Sequence, residues 1–206
     1  MQGNYVCITK VNIYDEYGKV FAHEMLTNKG EEINFKDDTS CSTPIIIKFC
    51  ELFGIDILAQ NTKIIVKMGT QFKDFSVVLK LPSANVLLAI TEKDIINDHR
   101  VLLICKNLKK KGYSIIVGEY ALKPGYSKIL KIADYVWIDI QANSSNIRLI
   151  KSKISRLSLK CIAVRISTQA QCIEAINAGC TYFQGVLFEN ERALSLLEKQ
   201  KIKNGN

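Results

Sequence analysis

The sequence predicts an α/β fold: a compact, TIM-like (β/α)8 barrel opened by an antiparallel strand pair. Three observations lead there. From residue 63 onward, short apolar runs alternate with segments of helical period, the pattern of parallel β-α units. Ahead of that alternation two β-like runs flank a single turn. The initial pair and the later runs together make eight strands, the number that closes such a barrel.

Taken in order, Tyr5 to Ile13 and Val20 to Leu26 form the opening pair. The intervening Tyr14-Asp15-Glu16-Tyr17-Gly18-Lys19 has the Asp and Gly of a tight turn. A polar stretch, Asn28 to Ser42, follows; its acidic residues Glu31, Glu32, Asp37 and Asp38 read as a solvated loop. Thr43 and Pro44 read as N-cap and first helical residue of a helix running from Ile45 to Phe53. Later strands are expected at Lys63–Met68, Asn85–Ile90, Ser114–Val117, Tyr135–Asp139, Lys160–Arg165 and Tyr182–Phe188. Helices are expected between them, notably Glu92–Lys111 and Gln169–Ala178, with Gly112 and Gly179 as left-handed residues just past the helix ends. A chain of 206 residues is short for this fold, so its helices and loops must be trimmed. An open doubly wound sheet is the alternative, but no G-x-G-x-x-G or P-loop accompanies it. No linker, repeat or low-complexity tract divides the chain, which reads as one domain over residues 1–206.

Composition narrows the function classes. The hydrophobic fraction of 48% and charged fraction of 23% are those of an ordinary globular domain. No apolar run is long enough to span a membrane, and the N-terminus lacks the features of a secretory signal. The seven cysteines are Cys7, Cys41, Cys50, Cys105, Cys161, Cys172 and Cys180; no C-x-x-C occurs, and an odd number cannot all pair. Cys105 and Cys161 lie in apolar runs as small core residues, and a reduced, cytoplasmic protein is expected. A metal site on Cys172 and Cys180 is disfavoured because their spacing fits no zinc pattern. The net charge of +8 raises the question of nucleic acid. However, Lys106, Lys109, Lys110 and Lys111 close one helix and Lys199, Lys201 and Lys203 the last, where cations complement the helix dipole. No basic motif interleaved with aromatics is present, which argues against nucleic-acid binding.

Several segments, in one consistent order, resemble the EAL family of cyclic-di-GMP phosphodiesterases, most nearly the branch in which an HDOD domain follows. Val11-Asn12-Ile13-Tyr14-Asp15 and Gly18 to Leu26 resemble that branch's opening, with Glu24-Met25-Leu26 in the place of Glu-Ala-Leu. Leu81-Pro82 and Val86 to Glu92 resemble L-P followed by V-x-L-E-I-T-E. Ile115-Ile116-Val117-Gly118-Glu119-Tyr120 stands where the family has a strand ending in D-D-F, and Asp134 to Asp139 where it has D-x-x-K-I-D. Ala163 to Thr168 is similar to A-E-x-V-E-T, and Phe183-Gln184-Gly185 is the family's F-Q-G. The chain ends at Asn206 without an HDOD domain, as a stand-alone remnant or an excised piece would.

The resemblance implies hydrolysis of a cyclic dinucleotide by two divalent cations held on carboxylates and an Asn at the strand ends. Carried over position by position, most of that ligand set is missing. Glu24 keeps the signature carboxylate, but Lys67 falls where an Asn is expected. Ala89 replaces the first Glu of the E-I-T-E pattern, while Glu92 keeps the second. The Asp pair becomes Gly118 and Glu119, the catalytic Lys becomes Trp137, and two further Glu become Val164 and Ser167. A Lys amid so few carboxylates repels Mg²⁺ or Mn²⁺. The phosphate-binding Arg expected after the signature is Asn28, and the early Gln is Val11.

The remnant pocket is thus expected to comprise Glu24, Lys67, Glu92, Glu119, Trp137, Asp139 and Gln184, with no catalytic residue, no metal and no cofactor. Bland roles compete at each. Glu24 and Lys67 suit a salt bridge in place of the metal, Trp137 fills vacated volume, Asp139 caps a helix or fixes a loop, and Gln184-Gly185 makes a turn. His23 alternates with Glu24 and so faces away from it, a poor general base.

The expected function is a bacterial, non-catalytic EAL-like signalling domain acting through an unidentified protein partner, with a homodimer compatible with the resemblance. The alternative is a cyclic-di-GMP receptor that binds without cleavage, through Lys67 on phosphate and Trp137 stacked on a base. Residual phosphodiesterase activity and weak nucleic-acid binding rank below both.

Overall fold

A computed structural model describes residues 6–29, 42–68, 75–97, 100–143, 147–190, 193–194 and 197. The acidic cluster at Glu31, Glu32, Asp37 and Asp38 and the terminal lysines at 199, 201 and 203 lie outside these residues. Eight strands follow one another in chain order around a closed barrel. They are β1 (Val6–Asp15), β2 (Val20–Lys29), β3 (Lys63–Met68), β4 (Val86–Ile90), β5 (Ser114–Gly118), β6 (Tyr135–Asp139), β7 (Lys160–Val164) and β8 (Tyr182–Phe183). The antiparallel opening pair and the (β/α) order are as the sequence predicts. Two compact units divide the chain: Met1–Val11 with Ala22–Ile115, and Asn12–Phe21 with Ile116–Asn206.

In the first unit β2, β3 and β4 pair in parallel. Strands buried on both faces must be apolar almost throughout, and β4, Val-Leu-Leu-Ala-Ile, is buried at every position. Helix α1 (Ser42–Phe53) begins one residue before the expected N-cap. Thr43 lies inside it, and its hydroxyl donates to the Lys67 carbonyl, tying the first turn to the end of β3. Helix α2 (Asp56–Ala59) leads into β3. The expected single helix from 92 to 111 is two, α3 (Glu92–Asn97) and α4 (Val101–Lys110). Helix α4 buries Val101, Ile104, Cys105 and Leu108, one stripe at i, i+3, i+4 and i+7. Gly112 ends it in the left-handed region at φ 89°, with the Tyr113 amide reaching back to Leu108 at 3.1 Å.

In the second unit β5, β6, β7 and β8 pair in parallel, and β1 runs antiparallel to β8. The hairpin turn is held by Asp15, whose Oδ1 accepts the amides of Tyr17 and Lys19, each at 2.9 Å, with Gly18 at φ 74°. Short helices α5 (Ser127–Leu130) and α6 (Ile140–Asn143) precede α7 (Ile147–Leu157) and α8 (Gln169–Asn177). Helix α7 buries Ile150 and Ile154 while Lys151 and Arg156 face water. A capping box starts α8: the Thr168 hydroxyl accepts the Gln171 amide at 3.3 Å, and the Gln171 side chain accepts the Thr168 amide at 3.2 Å. Two expected strands are shorter than the sequence suggests. β7 stops at Val164 because Arg165 takes φ 61°, and β8 stops at Phe183, after which Val186–Glu189 coil into a 3₁₀ turn.

Candidate functional site

In the first unit, the register Ala22↔Lys63, His23↔Ile64, Glu24↔Ile65 sets which side chains meet. Side chains alternate along a strand, so Ile65 and Lys67 share the face that carries Glu24, and Ala89 is the register partner of Lys67. On that face Lys67 Nζ lies 2.5 Å from Glu24 Oε1, with the two side chains 20% and 10% exposed. The expected salt bridge is therefore present. An ammonium this close offsets the charge of the Glu24 carboxylate, and Ala89, the register partner of Lys67, adds no carboxylate.

His23 takes the opposite face, as the alternation requires, and is buried. Burial, then the Lys10 ammonium, hold its imidazole below the usual value of 6.5.

Glu92 opens α3, where a carboxylate complements the helix dipole. Asp94, missed by sequence reasoning, is the more buried of the two at 2% exposure. Its Oδ2 accepts the Thr91 amide at 2.7 Å and the Thr91 hydroxyl at 2.8 Å, while the Asp94 amide donates to Thr91 Oγ1 at 3.3 Å. This is a capping box with Asp at the third position, and T-x-x-D directly after an apolar strand was its legible signal.

In the second unit, Gly118, Trp137, Ile162 and Tyr182 form one register row across β5 to β8. Trp137 is half-buried in that row. Gly118 stands where the resemblance expects an Asp, and the room is taken: a Cβ there would lie 2.9 Å from the Tyr120 ring. Glu119 and Asp139 are brought together, since Glu119 Oε2 accepts the Asp139 amide at 3.1 Å. Asp139 is buried and does two jobs. Its Oδ1 accepts the Ala142 amide at 3.2 Å, capping α6, and its Oδ2 pairs with the Arg165 guanidinium. The helix-capping role expected of Asp139 is thus present.

Arg165 was not a candidate from sequence, and no local pattern marks it. It carries a left-handed backbone, is exposed, and its guanidinium pairs with the buried Asp139 carboxylate. Gln184 is buried, and its backbone bridges two strand ends: its amide donates to Ala163 at 2.9 Å and its carbonyl accepts the Ile166 amide at 3.0 Å. At Gly185 a Cβ would meet the Ile166 carbonyl oxygen at 2.0 Å, so this glycine exists for a close backbone approach. Among the described residues no group of three or more His, Cys, Asp or Glu side chains is placed to hold a metal ion. Among them, too, no helix is long and apolar enough to cross a membrane.

No model of a protein family matches this chain. One curated relative, the uncharacterized protein YuxH of Bacillus subtilis (strain 168), is 24% identical over 198 residues, covering 92% of this chain and 48% of that protein. The chain thus spans about half the length of the relative it matches. Among solved structures, the PaMucR phosphodiesterase in complex with c-di-GMP superposes with a TM-score of 0.74 at 18% identity, covering 90% of this chain and 96% of that one. The EAL domain of Mycobacterium smegmatis DcpA gives 0.70 at 18% identity, over 95% of this chain and 98% of that one. The fold of this chain is that of EAL domains.

Proposed function

We propose that this chain is a non-hydrolytic EAL-type domain of cyclic-di-GMP signalling, related to the branch that carries HDOD domains, and that it acts in the bacterial cytoplasm by binding a protein partner. One observation carries the reading: the 2.5 Å ion pair between Lys67 and Glu24. Divalent cations of the Mg²⁺ class need several oxygen donors, and an ammonium already bound to the signature carboxylate competes for it with a charge of the same sign as the metal. The remaining donors fit a two-cation site no better. Asp139 is engaged by Arg165 and by the α6 amide, and Ala89, Gly118, Val164 and Ser167 offer no carboxylate.

The test is incubation of the full chain with cyclic-di-GMP and Mn²⁺, followed by chromatography of the products. No linear dinucleotide is expected; turnover that disappears in Glu24→Ala would overturn the reading.

A second reading is favoured by Trp137, a half-buried indole in the middle of β6 on the face that carries Asp139. It could stack on a base, which would make the domain a receptor that binds the dinucleotide without cleaving it. Calorimetry separates the two: affinity in the range of about 10–100 µM that falls in Trp137→Ala or Lys67→Ala supports the receptor. Heat-silent mixing leaves the protein-partner reading, for which a homodimer is the first partner to exclude by sedimentation.

A further inference from the structure

Cys161 is the second residue of β7, and Cys180 lies between α8 and β8. Three backbone features bring them together. Parallel pairing sets Ile162 opposite Tyr182, and the Thr181 amide donates to the Cys161 carbonyl at 3.1 Å, which holds residue 180 beside the start of β7. Gly179 closes α8 at φ 88°, and the Cys180 amide reaches back to Ala175 at 3.0 Å, turning the chain toward the strand. The two Sγ atoms are in direct contact at 2.6 Å, and both residues are buried, at 1% and 5% exposure. Neither thiol takes part in the chemistry discussed above.

The geometry points to a covalent modification site here: Cys161 and Cys180 form an intramolecular disulfide when the folded chain meets a low-molecular-weight disulfide such as oxidised glutathione. The Cys180 thiolate attacks one sulfur of oxidised glutathione, releasing one glutathione thiolate and leaving a mixed disulfide. The Cys161 thiolate then attacks the Cys180 sulfur and releases the second. Each departing thiolate takes up a proton that a cysteine gave up. The protein therefore loses two protons and two electrons, and the glutathione disulfide, which takes up both, is reduced to two thiols.

The hydrogen bond between the thiols, and then burial, raise Cys161 well above the ordinary thiol range. Exchange therefore proceeds through brief opening of the β7–β8 end and quickens as pH rises. The bond would enclose α8, including the buried Cys172, in a covalent loop.

The decisive experiment uses the full native chain. It is treated with oxidised glutathione at mildly alkaline pH, quenched in acid, alkylated in denaturant and mapped by mass spectrometry. One linked peptide joining Cys161 to Cys180 is expected. The midpoint of thermal unfolding should rise by roughly 5–10 °C, reversibly with dithiothreitol. Cys172→Ser should retain both the link and the shift, and Cys180→Ser should lose both. Links scattered over Cys50, Cys105 and Cys172, glutathione adducts without the cross-link, or a link that forms only in denaturant would each overturn the proposal. Mapping of the wild-type chain decides the matter even if Cys180→Ser fails to fold.

Discussion

The ring of Tyr120 occupies the space that any side chain at position 118 would need: a Cβ on Gly118 would sit 2.9 Å from one ring carbon and 3.1 Å from the next. The ring is itself buried and packed edge-on against Tyr126, with centroids 5.3 Å apart, so it cannot swing aside freely. Restoring an acid at this position therefore conflicts with packing. Gly118→Asp should lower stability by about 1–3 kcal/mol, read from the urea midpoint, and confer no Mn²⁺-dependent hydrolysis.

The Glu24–Lys67 pair should behave as one unit. Its side chains are mostly withdrawn from water, so removing either partner strands the other charge. Lys67→Met and Glu24→Gln should each cost about 2–4 kcal/mol. The double variant should lose clearly less than their sum, with a coupling of more than about 1 kcal/mol in a double-mutant cycle. Additive losses would mean that the contact contributes little.

His23 gives the folded state a pH signature. Burial and Lys10 lower its pKa from 6.5, so over the interval just below that value the unfolded chain holds a proton that the folded chain does not. Stability is then fully present above about pH 6.5 and is lost as pH falls toward the folded pKa, with a slope of at most about 1.4 kcal/mol per pH unit. Unfolding curves between pH 5 and 7 should show this slope, His23→Gln should flatten it, and Lys10→Ala should move it toward 6.5.

What was legible in the sequence was whatever a local pattern fixes. The alternation around β3, β4 and β6, the hairpin at Asp15 and Gly18, and the helix-ending Gly112 and Gly179 follow from side-chain period and backbone permissiveness. The salt bridge was legible too, through the resemblance that sets Glu24 and Lys67 at the positions of two metal ligands. The failures lie where distant backbone decides. β8 is two residues long because Gly185 packs against the backbone of Ile166, a contact invisible in the run from Tyr182 to Phe188. Thr43 looks like a cap in the sequence, but its hydroxyl finds the Lys67 carbonyl 24 residues away. Arg165 left no trace at all, because neither its φ nor its partner Asp139 is local.

Arg165 offers the sharpest test of these tertiary constraints. At φ 61° a non-glycine residue carries a backbone penalty of about 1–2 kcal/mol, which glycine does not. Replacing Arg165 by either Ala or Gly removes the guanidinium from Asp139, whose carboxylate still accepts the Ala142 amide. The loss of the ion pair is thus common to both variants. Only the backbone term differs, and it favours Gly even after the greater entropy of glycine in the unfolded chain, about 0.5–1 kcal/mol, is subtracted. Arg165→Gly should therefore be more stable than Arg165→Ala by several tenths to about 1 kcal/mol, the reverse of the order expected had Arg165 continued β7. Asp139→Asn, which keeps an acceptor for the cap but removes the charge, should cost about as much in the Arg165→Gly background as the cap alone warrants. It should cost more in the wild type, where the guanidinium would lose its partner. Chemical unfolding of the four variants closes the cycle, and an Ala variant as stable as the Gly variant would rule out the left-handed backbone at residue 165.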